Sequence, residues 1–523
     1  MKYINYFQYV KILNTKHQIQ KTILKMRLKY CIYISIYLVL IFSQGCATWD
    51  SRQFVAKSGR PSESQRFFDE LDKVVDEADV RDASVFLISG FPYLRTNRFL
   101  ASFKDQLTSD PQKAQWIRWM QQLDLEARKK EIFNLPPEHF KNLTTRLGEP
   151  LDRAKLYHRV TIYSNQLLGH DQRHPSFIPS LQNAIVIPDE YSTFMRIIGI
   201  YPLTSIPVAV VTHSVYDDIA AWHQLPGDEL KTLGKLRGYG PSHHTTYSQD
   251  RIRAILKRSQ QNPLGIPLPS ESEGQILLTT FAPLLFQDMA ADYDKIGEVM
   301  WQDDRVAINS AIPTVYYYFS HARFKTKPVL QINYTVWYSA REGPNSPWIE
   351  RGSLDGLTIR VSLDSEGRPF MLDIMNNCGC YHLFVPPKNR IQRVLPSPLA
   401  IDAFIPRWMP ESFPQHRLSL RINSGWHQVV NIATAKTISK FIPYRMEPYD
   451  QLEMIPHGDA AHASIFNSRG IAKNTGRIEP LIFFPMGIPD VGSMRQRGHH
   501  AIKLVGRAYF DDPDLFDQNF EFE

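Results

Sequence analysis

Between Leu330 and Tyr338 the chain alternates without a break. Leu330, Ile332, Tyr334, Val336 and Tyr338 are separated by Gln331, Asn333, Thr335 and Trp337. Successive side chains of a strand point to opposite faces, so a period of two places one apolar row on a single sheet face, which a helix cannot do. Residues 357–363 alternate in the same way and run into Asp364-Ser365-Glu366-Gly367, after which residues 368–375 return. That is a hairpin closed by turn chemistry. Further strands are expected at 417–422, 428–432, 481–484 and 501–509, and prolines 396, 398, 406, 410 and 414 punctuate the chain ahead of them. Residues 313–523 therefore read as a mostly antiparallel β domain.

Upstream the period changes. Phe67, Phe68, Leu71, Val74 and Val75 recur at spacings of three and four, as do Trp116, Trp119, Met120 and Leu123. Residues 46–150 read as a helical region, with Ser62 placed to cap the first helix and Gly148-Glu149-Pro150 placed to close the last. Residues 151–312 are mixed: a helix is expected over 151–168, strands at 184–187 and 208–211, and a helix over 250–259. The fold class is α+β, in two or three domains, since nearly five hundred residues exceed one ordinary core. There is no internal repeat of fixed period.

The first residues have a different logic. A basic stretch precedes the apolar run from Ile32 to Phe42, and Ser43-Gln44-Gly45-Cys46 comes directly after it. The run is short for a membrane span, and small Gly45 sits where a peptidase would cut. This arrangement resembles the leader and lipobox of bacterial lipoproteins, with Ser43 and Gln44 departing from the usual Leu and small residue. The resemblance implies that residues 1–45 are an export leader and that Cys46 carries lipid; the basic stretch is unusually long counted from Met1, whereas Met26, followed by Arg27 and Lys29, gives a leader of ordinary proportions and is the expected start. Ala47, rather than an acidic residue, implies the outer membrane, facing the periplasm.

That leader also accounts for the charge. Residues 1–45 hold seven lysines and arginines and no acid, and the whole chain carries a formal +7. The rest of the chain, from Cys46 onward, is formally neutral, which argues against a nucleic-acid partner.

Chemistry concentrates in Cys378-Gly379-Cys380-Tyr381-His382, which holds both of the cysteines beyond Cys46. Thiolate and imidazole are the ligands zinc and copper favour, so Cys378, Cys380 and His382 are candidate metal ligands, completed by His321 or by His499 and His500. The same thiols admit a disulfide between Cys378 and Cys380. A ring across one intervening residue is strained and easily reduced, and it suits either exchange chemistry or a local staple. A papain-type nucleophile is rejected, because the extended Leu383-Phe384-Val385-Pro386-Pro387 stands where that family starts a helix.

Three other stretches hold histidine or cationic side chains. His170-Asp171-Gln172-Arg173-His174 and Ser242-His243-His244 read as polar loops. Arg495, Arg497, His499, His500 and Arg507 gather cations that would suit an anionic envelope component, or that guard a strand edge. The expected function is a lipid-anchored cell-envelope protein, held to the membrane through Cys46, that binds or assembles with another component. The alternative is an envelope hydrolase using zinc or copper.

Overall fold

The computed structural model describes residues 54–55, 59–243, 245–397, 400–435, 441–458 and 461–523. Cys46, the leader and His244 lie outside them. The chain divides into two compact units, a small one taking its described residues up to Arg60, 88–92 and 169–186, and a large one holding the rest.

In the small unit Phe54, Phe91 and Phe177 pack with ring centroids 5.4–6.3 Å apart. Arg60 binds the buried carboxylate of Asp171 and the Gly90 carbonyl, the latter at 2.7 Å. His170-Asp171 thus closes a helix, Arg153–Asp171, and its acid is spent on a structural ion pair.

The large unit is α+β, as expected. Its main sheet has ten strands: β1 (Lys235–Pro241), β2 (Leu284–Met289), β3 (Thr314–Phe324), β4 (Lys327–Arg341), β5 (Gly352–Leu363), β6 (Pro369–Asn376), β7 (Leu383–Val385), β8 (Arg417–Ile422), β9 (Val429–Ala435) and β10 (Ile442–Pro448). Their spatial order is β7-β6-β5-β4-β3-β10-β1-β2-β8-β9. The β5/β6 hairpin forms where expected, with Leu363 opposite Pro369 across the predicted turn. The sheet is mixed where an antiparallel one was expected: β10 runs parallel to both β3 and β1, and β8 runs parallel to β2. The reason is topological, because β1 and β2 come from before residue 313 and insert between strands that come after it.

Leu330, Ile332, Tyr334, Val336 and Tyr338 all enter the main core, together with Leu277, Leu278 and Phe281 of the helix Glu271–Phe281. The opposite face of β4 is buried as well, and most of its polar row bonds sideways, with Asn333 Oδ1 and Trp337 Nε1 left unpaired. Gln331 donates to Ser362 at 3.1 Å, Asn333 to Ser320 at 2.8 Å, and Thr335 and Thr358 bond at 3.0 Å. A buried polar group left unpaired costs on the order of 1–3 kcal/mol, so these cross-strand bonds permit the second layer.

Three expected strands are absent. Residues 208–211 lie inside the helix Tyr201–Gln224, residues 481–484 fall in the helix Glu479–Phe483 and the turn after it, and 184–187 contain no strand. Of the strand expected over 501–509, only an isolated bridge between Ala501 and Tyr509 forms.

Candidate functional site

The loop joining β6 to β7 carries both thiols. Asn377 fixes its start: the backbone N–H donates to Gly356 O at 2.9 Å, the side-chain amide donates to Val336 O at 3.2 Å, and Thr358 donates to Oδ1 at 2.8 Å. Gly379 turns the chain with φ +89°, and a Cβ there would stand 2.4 Å from Ala501 O, so no side chain fits. Tyr381 also holds a positive φ, and its hydroxyl donates to Glu350. The sharp turn brings the two sulfurs together without bridging them. The neighbouring Cys380, aided by the charge of Arg341, holds the Cys378 thiol below its ordinary value against burial. Cys380 is pushed the other way by Cys378 and by burial.

Behind the thiols lies a buried ionic chain. Arg341 grips Asp355 with two bonds of 2.9 and 2.8 Å and reaches Glu350 at 2.6 Å. His427 donates Nδ1–H to Asp355 at 2.8 Å and Nε2–H to Asp294 at 3.2 Å, and its ring stacks on Tyr338 at 3.8 Å. Burial opposes a charged imidazole, but the two carboxylates overcome it and raise the His427 pKa. Burial likewise pushes Asp355 up, yet Arg341 and His427 hold it well below the usual carboxylate range. Fully paired buried charges of this kind fix geometry, and losing one partner is costly.

In front of the thiols is a cavity of about 410 Å³. Pro207, Val208, Val211 and Val215 of the helix Tyr201–Gln224 form one wall; Ile488, Val491 and Leu504 form another; Cys378, Cys380, Glu350 and Glu479 supply polar atoms. Glu479 is buried, and desolvation, reinforced by the Cys378 thiolate, pushes its carboxyl up to about 8. Near neutral pH the cavity therefore holds a thiolate-prone sulfur and a protonated carboxylic acid.

The expected metal centre does not assemble. His382 turns away and donates to Asp373 at 2.8 Å, beside Arg360. His321 donates to Pro267 O at 2.8 Å and stacks on Phe99, and burial drives it down to about 4. His499 is held between Glu190 at 2.9 Å and Ala83 O at 2.6 Å. His500 reaches only the Asn377 carbonyl, at 3.2 Å, and burial with Arg495 pushes it down to about 3. Among the described residues no three His, Cys, Asp or Glu side chains converge as metal ligands. Local conformation explains this: Cys380 and His382 lie in a turn, not a strand, and the positive φ of Tyr381 between them breaks the same-face placement that two-residue spacing would give an extended chain.

The cations expected to meet an anionic component are paired internally. Arg497 bonds Glu453 at 2.7 Å, Arg507 pairs with Asp189, and buried Arg495 lies 3.8 Å from Glu190. Sequence reasoning missed Arg341, Asp355, His427 and Glu479. They follow no motif: Arg341 and Asp355 meet across the β4/β5 pairing, whereas His427 comes from the turn between β8 and β9 and Glu479 from a short helix. Comparison with protein-family models, curated proteins and solved structures finds no match.

Proposed function

We propose that this is a lipid-anchored cell-envelope binding protein that holds the apolar chain of a membrane lipid in the cavity beside Cys378. The observation carrying this reading is the helix Tyr201–Gln224, which is apolar on two sides at once. From residue 197 to residue 216 there is no Asp, Glu, Lys or Arg. One side of the helix lines the cavity, while Leu203, Ile206 and Val210 are exposed. Val211, 61% exposed, and Ile482, 46% exposed, belong to the cavity wall, so exposed apolar surface and cavity meet there.

A helix hydrophobic all round is normally buried, and a continuous exposed apolar patch marks a binding surface. Phe194, Ile197 and Ile198 extend the patch along the preceding helix, Thr193–Ile198. No described helix is long and apolar enough to cross a membrane. The patch suits the surface layer of a bilayer, the surface to which acylated Cys46 would hold the protein. The cavity volume lies within the range of about 300–1,000 Å³ usual for small-ligand sites.

Lipid extraction and mass spectrometry of protein purified from membranes should find a co-purified lipid, and the purified protein should bind a fluorescent fatty acid. Val208→Trp, which fills the cavity, should weaken that binding at least about tenfold, a loss of roughly 1.4 kcal/mol, without changing the fold. Equal binding by the filled variant would rule out the cavity as the site.

A further inference from the structure

We propose that Cys378 and Cys380 form a redox pair that reduces the hydroperoxide group of a lipid held in the cavity, a step that rests on the lipid-binding reading above. Three placements carry it. Both thiols line the cavity, two residues apart in one tight turn and unbridged. Glu479, an acid that keeps its proton at neutral pH, lines the same cavity within electrostatic range of Cys378. Cys378 is itself buried, so the cavity is its route to a reactant.

The chemistry balances on these groups. The Cys378 thiolate attacks the terminal oxygen of R–O–O–H. An S–O bond forms, the O–O bond breaks, and the departing alkoxide takes the Glu479 proton to leave as R–OH. Cys378 is now a sulfenic acid, the first rung of thiol oxidation. The Cys380 sulfur then attacks Cys378. The S–S bond forms, and the hydroxyl leaves as water with the Cys380 proton. The two sulfurs have together given two electrons to the peroxide bond, and Glu479 regains a proton from solvent. An external dithiol returns the pair to its starting state by exchange, supplying two electrons and two protons; a ring across a single residue favours that release. Acyl transfer is the weaker use of the same sulfur, because it leaves Cys380 without a role.

The test uses prereduced protein freed of excess reductant, with linoleic acid hydroperoxide as probe and fluorescent fatty-acid binding measured on the same samples. One equivalent of hydroperoxide should yield one of hydroxy acid with loss of both thiols. Cys378→Ser should abolish the reaction. Cys380→Ser should still consume one equivalent and leave a sulfenic acid that dimedone captures. Val208→Trp should keep both thiols countable after denaturation yet slow lipid hydroperoxide reduction at least about tenfold. Fatty-acid binding with no hydroperoxide reduction above the Cys378→Ser level overturns the redox proposal and leaves the binding reading intact. Hydrogen peroxide reduced as fast as the lipid hydroperoxide overturns the lipid substrate. Failure of both binding and reduction removes both.

Discussion

Glu479 illustrates how burial sets the protonation of a single side chain. Its carboxyl is raised from about 4.5 to about 8 by desolvation and the nearby thiolate. Between those values the folded protein keeps a proton that the unfolded chain has released, so the stability Glu479 contributes is complete below pH 4.5 and is lost as pH rises through 8. Glu479→Gln removes this dependence. Denaturant titrations should find variant and wild type alike near pH 4.5 and the variant more stable at pH 8.5, by on the order of 5 kcal/mol. A constant difference across that range would refute the raised pKa. At this scale the thiol pair was legible from spacing alone, because residues two apart in a tight turn can only be neighbours. The acid beside it was not, since Glu479 reaches Cys378 across about a hundred residues of intervening chain.

Elements were legible where period and turn chemistry agreed. The β5/β6 hairpin combined alternation with Asp364 and Gly367, and Asp364 accepts from the backbone N–H of Glu366 and of Arg368 at 3.0 and 2.9 Å. Residues 208–211 misled because β-branched valines favour strands only when nothing longer competes, and here they sit within a 24-residue helix. That helix is where the bilayer proposal is most exposed to test. Leu203→Glu with Val210→Glu alters only exposed positions, so thermal stability should hold, most surface changes costing within about 0.5 kcal/mol. In a Cys46→Ser background, which removes the proposed acyl anchor, flotation with phospholipid vesicles should retain the protein when Leu203 and Val210 are intact and release it when both are Glu. Retention of the doubly charged variant would mean that this helix face does not meet lipid.

At the scale of the large unit, the segments that read as separate regions depend on one another. The helix Asp110–Asn134 sends Lys130 to Glu453 and Asn134 to the Glu453 carbonyl at 2.8 Å, while Gln496 and Arg497 hold the same carboxylate at 2.8 and 2.7 Å. Arg95, Asp124, Arg128 and Glu131 extend this buried set of charges inside the helical region. None of it was visible in the sequence, because ion pairs between distant segments leave no local period. The sheet makes the dependence stronger. β1 and β2 stand between β10 and β8, so a chain beginning at Pro313 would lose the strands that join the β8/β9 hairpin to the rest, together with the core residues Leu277, Leu278 and Phe281. Leu418, Leu420 and Ile432 would then face water, and burying each such side chain is worth about 1.5–3 kcal/mol, which a domain of marginal stability cannot forgo. A fragment of residues 313–523 should therefore lack a cooperative urea transition by circular dichroism, whereas the full chain should have one. A native-like cooperative transition in the fragment would mean that the strands after residue 313 close a sheet by themselves, with β10 and β8 pairing differently from the arrangement described.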